Sequence, residues 1–539
     1  MSDMLNTGVT ALMAFRSALD TVGNNISNAS TAGYNRQRVE LATQQNGGVL
    51  VQQIARMTDA SVYARSLSDG SSLARLDAFS NLATRMDGIL SNVDSGLAKP
   101  LQQFFAAIDG VSADPQSTAA RQNLLSVAGN LAARFNDLQA QLDGAEKDIN
   151  MQLSQSVSDI NELTTSIAQL NERISMVFNS GNQTPNDLMD QRDALISQLS
   201  QSIGITTVRQ DDGSVNVFAA GGQTLVMGNS ASTMTTVGSA YDQSRLEIAL
   251  GNPPVNITAK ATGGKIGGLL DARSQLIDPI KSQLGRTATA LVTAFNAQHV
   301  QGIDQNGNPG VPFFNAVSGT ASAAISNSGS ATVTVGFSNI SQLTGENYKL
   351  SYNGASWSMT SVSTGTSVAL SGTGTLADPF IGAGISLVVG AGANAGDNYL
   401  IQPTANVAGQ VGLAITQPSR VAAASVAFGG VNSADNTNSK LLGALSGLGL
   451  LDGGRSSITA ANASLISQTG SLAQQASSRR DAAAAIQTQT QKDMDAVSGV
   501  NLDEEAADLV RYQQAYQAAA QIIATAQTVF QSLLNAARG

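Results

Sequence analysis

Both ends of this 539-residue chain carry the same constraint: an apolar residue at every seventh position. Near the C-terminus Leu509, Tyr516, Ile523, Phe530 and Ala537 form one row, and Tyr512, Ala519, Ala526 and Leu533 follow three places behind. Near the N-terminus Leu5, Leu12, Leu19 and Ile26 form one row, and Gly8, Phe15 and Val22 form the other. Spacings of seven and three put each set on one narrow helical stripe, the pattern of a coiled-coil seam. Such a helix at each terminus predicts a chain that leaves and returns to one place. Everything between is then carried on that stem.

Local signals agree. Asn501 is placed to cap the last helix, with Glu504 three positions on able to reach back to its amide. Asp503, Glu504 and Glu505 fall in the first turn and Arg538 in the last, each where the helix dipole favours its charge. The stripes are narrow, and their apolar surface is small against the entropy of ordering two long helices. The expectation is therefore a pair of termini loosely structured in the single chain that fold when neighbouring copies pack on them.

The length predicts several domains. Hydrophobic residues make up 42%, enough for real cores, while aromatics stand at 4% and charged residues at 13%. A net charge of −10 argues against nucleic acid as a partner. No apolar run approaches the ~20 residues of a membrane span. The N-terminus has no basic segment ahead of a continuous apolar run, so it does not read as a cleaved secretory signal. Zero cysteines rule out disulfides, zinc–thiolate sites and cysteine nucleophiles.

Residues 24–45 read NNISNASTAGYNRQRVELATQQ. A seam-forming helix, then Asn-Asn-Ile-Ser-Asn, then Thr-x-Gly-Tyr, resembles the N-terminal signature of the axial proteins of the bacterial flagellum, the rod, hook and hook-associated proteins. The Arg-Gln-Arg-Val-Glu-Leu continuation is most similar to the hook-associated proteins of the hook–filament junction. That family usually has Pro before the Gly and Ser after the Tyr; here Ala32 and Asn35 stand there. Two internal stretches resemble the same family, NDLMDQRD at 186–193 and the segment from Gly263 to Gly310. The last forty residues resemble its C-terminus nearly throughout.

Between the ends, apolar periodicity predicts helices over 71–99 and roughly 116–178, the latter with Leu153, Ile160, Ile167 and Ile174 in one row. Pro185 precedes a further helix capped by Asn186 or Asp187 and facing inward through Leu188, Leu195, Ile196 and Leu199. Over 205–258 the period drops to two, with turns at Asp211-Asp212-Gly213 and Gly221-Gly222, and predicts short hairpins. A helix resumes with Leu270, Ile277, Leu284 and Leu291 seven apart, kinked at Pro279. Residues 316–403 are rich in Ser, Thr, Gly and Ala and alternate, predicting a separate β domain that holds the single Trp357. Helix returns from Ile458.

The fold class expected is multidomain and mainly α with β insertions. Residues 1–35 and 500–539 form a terminal coiled-coil domain. Residues 36–310 and 404–499 form a long-helix bundle body with the hairpin region at about 205–258, and 316–403 form an inserted β domain.

Catalytic patterns are weak. His299 is the sole histidine, which disfavours zinc or a Ser-His-Asp triad and suits a polar position at a helix end. Asp304, Asn306 and Asn308 mimic the start of a calcium loop, but Pro309 and Asn315 occupy the places of the required Gly and bidentate Glu, so a turn is expected. Asp187, Asp190 and Asp193 are spaced three apart with Arg192 among them, which reads as a solvated helix face or as ion pairing within the helix. No cofactor and no metal site are expected.

The resemblance implies a structural protein of the hook–filament junction that buffers a flexible joint against a rigid propeller and is exported by the flagellar type III apparatus without a cleaved signal peptide. It implies hook protein on one side, the next hook-associated protein on the other, identical copies in a ring, and an export chaperone on the C-terminal helix. The expected assembly contacts are Leu5, Leu12, Phe15, Leu19, Val22 and Ile26 of the first seam, Leu509, Tyr512, Tyr516, Ile523, Phe530 and Leu533 of the last, and Tyr34, Arg36 and Arg38. Other readings are a different axial protein, such as hook protein or flagellin, and a wall-cleaving hydrolase. The latter needs convergent carboxylates that the sequence does not display.

Overall fold

The computed structural model describes residues 2–44, 47–92, 96–180, 184–219 and 221–538. The N-terminal helix α1 runs Ser2–Ser27 and the C-terminal helix α10 runs Leu502–Arg538. They pack side by side. Between them the chain forms a hairpin of β1 (Gln37–Thr43) and β2 (Val49–Arg56), the helices α2 (Ala60–Leu90), α3 (Ala98–Ala113), α4 (Thr118–Asn179) and α5 (Asn186–Ser202), and two small antiparallel sheets. One sheet pairs β3 to β6, residues 205–231, and the other β7 to β9, residues 234–256.

Helix α4, at 62 residues, is the spine of the body. At 1.5 Å per residue it spans roughly 90 Å. Its heptad rows Leu153, Ile160, Ile167 and Ile174 are buried as expected. Ser117 caps it through its hydroxyl and the Ala120 amide. Helix α2 begins well before residue 71, because the Asp59 carboxylate caps it by accepting from the Ser61 and Val62 amides. Helix α3 was not expected. Pro100 lies in its first turn, where a missing N–H costs nothing, so proline there marks a start and not a break. Phe104 of α3 enters an aromatic cluster with Phe295, Phe313 and Phe314 at centroid distances of 5.2 to 6.4 Å.

The body continues through α6 (Gly264–Ala272) and α7 (Asp278–His299), joined by a π turn at Arg273–Ile277. Pro279 stands second in α7, one residue beyond that turn. The wider turn accommodates the ring and its missing N–H without ending the helix. Short α8 (Thr437–Ala444) and long α9 (Ile458–Ser498) complete the layer, α9 packing along α2.

Residues 320–402 have a core of their own. Its strands are β10 (Thr320–Ala323), β11 (Val333–Phe337), β12 (Tyr348–Tyr352), β13 (Trp357–Ser361), β14 (Ser367–Val368), β15 (Phe380–Gly382), β16 (Ile385–Val389) and β17 (Asn398–Gln402), and a five-stranded antiparallel sheet in the order β10-β17-β12-β13-β14 faces a three-stranded one, β11-β16-β15. Tyr348, Leu350, Met359, Tyr399 and Ile401 from the first meet Val335, Ile385 and Leu387 from the second. The domain is fastened to the body by the Thr404 hydroxyl on the Ser282 carbonyl, by the Ile325 amide on Ala240 and by the Gly453 amide on Ser341. Gly285 is what lets the returning strand lie on α7: a Cβ there would sit 1.7 Å from the Thr404 carbonyl oxygen.

Candidate assembly interface and its polar neck

The terminal pair is antiparallel. Asn25 of α1 meets Glu505 of α10, and Gly8 of α1 faces Ile523, whose Cγ1 lies 2.7 Å from where a Cβ would stand. The two stretches differ by one residue in length, so the helices pair almost residue for residue. The first turn of α1 then lies beside Val529, and Phe530 to Arg538 run past it. On α10 the buried row is Glu505, Ala519 and Ala526, with Tyr512 of the same row and Leu509, Tyr516 and Ile523 of the other half-buried. Phe530 and Leu533, each 51% exposed, lie beyond the seam.

On α1 the phase differs from expectation. The row Ala11, Ala18 and Asn25, with Ala14 and Thr21, is buried deepest. Val22 is also buried, Leu5, Leu12, Phe15 and Leu19 are half-buried flanks, and Ile26 is exposed. The reason is steric. Gly and Ala at the contact line let two backbones approach closely, and larger side chains fit only beside it. Nor is the pair loose: both helices are formed in the single chain, and a polar knot closes one end. That contribution is invisible to a count of large apolar residues.

In the knot, the Asn25 amide donates to the Gln37 carbonyl (2.9 Å) and to Glu505 (3.0 Å), and its oxygen accepts from the Gln37 amide (3.0 Å) and the Tyr34 hydroxyl (2.8 Å). Arg36 donates from Nε to Glu505 and from Nη1 to Glu504, both at 2.7 Å. Burial depresses the Arg36 guanidinium pKa, but Glu504 and Glu505 outweigh it and hold it above its ordinary value. Burial, with Asp190, Asp187 and Glu505 nearby, pushes the Tyr34 phenol up to about 12, so it stays a donor. Glu504 therefore reaches Arg36 instead of folding back on its own cap, and Asn501 caps α10 alone through the Asp503 amide (3.0 Å). Tyr34 and Arg36 are thus engaged inside the chain, while Arg38 is exposed on β1.

A second knot joins this end to the body. Arg56 Nη1 donates to Asp190 (2.7 Å) and Asp193 (3.0 Å) of α5. Asn35 donates to Asp190 from its side chain (2.6 Å) and its backbone amide (3.2 Å). Asn186 donates to the Ile54 carbonyl (2.8 Å) and the Gln37 side chain (3.2 Å). Asn186 is therefore spent on the hairpin and does not cap α5. Of the two readings of the α5 acidic face, the solvated one is corrected here, since Asp190 and Asp193 are buried against Arg56 and Asp187 alone of the three is exposed, while ion pairing within the helix is present between Arg192 and Asp193. Arg192 pairs within the helix with the other oxygen of Asp193 (3.2 Å) and reaches beyond it to the Gly213 carbonyl (2.7 Å) and Asn171. Burial depresses the Arg56 guanidinium pKa, and Asp193 and Asp190 more than offset it.

Sequence reasoning missed Asn25, Arg56, Asp190 and Glu505. A charged residue in heptad phase with Tyr512 was the available signal for Glu505; Arg56 gave none. Elsewhere His299 is buried between the Val311 carbonyl and the Ala422 amide, and burial brings its pKa down to about 4. The Asp304 carboxylate accepts from the Asn306 and Asn308 amides at 2.9 Å, a turn. Among the described residues no group of three or more His, Asp or Glu is placed to hold a metal ion, and no helix is long and apolar enough to cross a membrane.

These features have counterparts. Residues 83–314 match the flagellar hook-associated protein FlgK helical domain, and residues 322–403 match the flagellar hook-associated protein 1 D2-like domain. Residues 5–35 match the flagella basal body rod protein model, and 491–536 the flagellar basal body rod FlgEFG protein C-terminal model. Flagellar hook-associated protein 1 of Salmonella typhimurium is 32% identical, with 99% of this chain and 100% of that protein covered. The chain belongs to the flagellar hook-associated protein 1 family. The relative from Escherichia coli K12 is 31% identical over 99% of this chain and all of its own length. The solved flagellar hook junction protein FlgK from Burkholderia pseudomallei superimposes with a TM-score of 0.74 at 25% identity, covering 82% of this chain and all of that one. The β domain is thus a D2-like domain of the hook-associated protein 1 family. Each knot unites stretches that resembled that family separately, the first joining 24–45 to the last forty residues and the second joining 24–45 to 186–193.

Proposed function

We propose that this chain acts at the hook–filament junction by packing its terminal helix pair against copies of itself in a ring. As a member of the hook-associated protein 1 family it is a structural component of the flagellum, with partners on the hook side and the filament side. The observation that carries the assembly reading is the mismatch between the two helices. The seam covers α10 only as far as the first turn of α1, leaving Phe530, Leu533 and Leu534 in solvent. Val9 and Met13 add a second uncovered stripe on α1. Exposed apolar stripes of this kind are interaction surfaces. Neighbouring copies would cover them in the ring, and an export chaperone would cover α10 beforehand. The hook protein would lie below, the next hook-associated protein above, and the β domain outside. Export would proceed through the flagellar type III apparatus without a cleaved signal, and the role is structural, not catalytic.

Electron microscopy of cells lacking this protein tests the reading. Hooks should remain while filament subunits are shed into the medium. A chain lacking residues 500–539 should yield a folded monomeric body that restores nothing. Junctions built by that truncated chain would refute the assigned role of α10.

A further inference from the structure

The two knots differ in what they join. The first, around Asn25 and Glu505, ties α1, the hairpin base and α10 into one terminal module. The second, around Arg56 and Asp190, ties that module to α5 of the body. Few apolar contacts reinforce it. The buried apolar core of the body begins at Leu67 and ends at Ala476, and no described residue of α1, the hairpin or α10 belongs to it. The buried residues of the terminal seam form no part of that core either. Small polar interfaces between parts of one chain permit relative motion unless a specific contact forbids it.

The covalent links are equally slight. Residues 57–59 lead from the hairpin to α2, and residues 499–501 from α9 to α10. Beside them lies a cleft of about 960 Å³, lined by Thr31 and Tyr34 from the module, Ser197 and Gln201 from α5, and Gln491 and Asp495 from α9. There is room for the module to turn toward the body. Backbone bonds from Arg36 to Ser498 and from Met57 to Arg36 (both 2.8 Å) mark where the turning would pivot.

We propose that Arg56, gripped by Asp190 and Asp193, is a catch that fixes the angle between the terminal module and the helical body, and that its release lets the module swing into the neighbouring cleft. One nitrogen of Arg56 serves both carboxylates, so a single ammonium can replace it, whereas removal leaves the buried Asp190 without its cation and Asp193 held only by Arg192, 3.2 Å from its other oxygen. A junction protein meets two surfaces of different geometry, and a catch at the neck supplies two orientations from one fold. The inference rests on the neck geometry and stands whether or not the uncovered stripes assemble as proposed above.

The chain has no cysteine, so spin labels are placed without background. Gln517→Cys on α10 and Gln474→Cys on α9 are both exposed. Electron–electron double resonance on the full-length labelled chain should give one narrow distance. With Arg56→Ala the distribution should broaden at least twofold and gain a shorter component, while Arg56→Lys should restore the narrow one. Asp190→Asn, a gentler change, should broaden it partially, with circular dichroism verifying that helix content is retained. A folded Arg56→Ala or Asp190→Asn chain with the original narrow distance would overturn the proposal. So would broadening that Arg56→Lys fails to reverse.

Discussion

Asn25 and Glu505 stand 480 residues apart in sequence and 3.0 Å apart in space, each 1% exposed. One carboxylate thereby closes the chain on itself, and its second oxygen takes Arg36. Leaving a buried charge without its partner costs about 3–5 kcal/mol. Replacing Arg36 with Ala should therefore loosen the base of the terminal pair, even though the apolar seam is untouched. Hydrogen exchange at residues 502–512 should quicken more than a hundredfold, while amides of α4 keep their rates.

The stripe beyond the seam predicts the opposite separation. Substituting Phe530 and Leu533 with Ser removes apolar groups already half in water, and such surface changes stay within about 0.5 kcal/mol. Thermal unfolding of the monomer should hardly move. Junction assembly, scored by electron microscopy of filaments in complemented cells, should fail.

His299 gives a pH dependence. Its folded pKa, about 4, lies below the ordinary 6.5 because burial disfavours the cation. The unfolded chain therefore binds the extra proton first. The stabilising effect is complete above pH 6.5 and is lost as pH falls from 6.5 to about 4. At 1.36 kcal/mol per unit, this loss is about 3 kcal/mol. Denaturant titrations should show His299→Gln to be weaker at pH 7 yet flatter than wild type across that window.

Arg121 is buried at the start of α4 with carbonyls for partners, donating to Pro115 (2.7 Å) and to Val421. Burial lowers its pKa, with only the charge of Asp304 opposing. Arg121→Met fills the space but leaves those carbonyls unsatisfied, at about 1–3 kcal/mol for each. The denaturant midpoint should fall accordingly, and the terminal pair should be unaffected.

What the sequence disclosed followed from periodicity. The expected helix at 116–178 differs from α4 by two residues at its start and one at its end, because a stripe repeated over many heptads leaves few alternatives. The family was legible too, since its motifs lie in unbroken strings. Polar partners were not. Asp190 looks solvated when read with its helical neighbours Asp187 and Asp193; its burial depends on Asn35 and Arg56, more than 130 positions away. Asn35, where the family usually has Ser, proved to be one of the ties. In α1 large residues drew attention to Leu5, Leu12 and Leu19, while the contact line itself is made of Ala11, Ala18 and Gly8, whose smallness is the property that matters.

That alanine contact line has a geometric outcome. Helices touching through Ala and Gly approach toward the short end of the usual interaxial range, about 8 Å. The terminal pair is therefore slim. Arranged around an axis, slim pairs make a thin wall and leave a wide bore. In the ring proposed above, exchanging Ala18 and Ala519 for leucine would thicken that wall and narrow the bore.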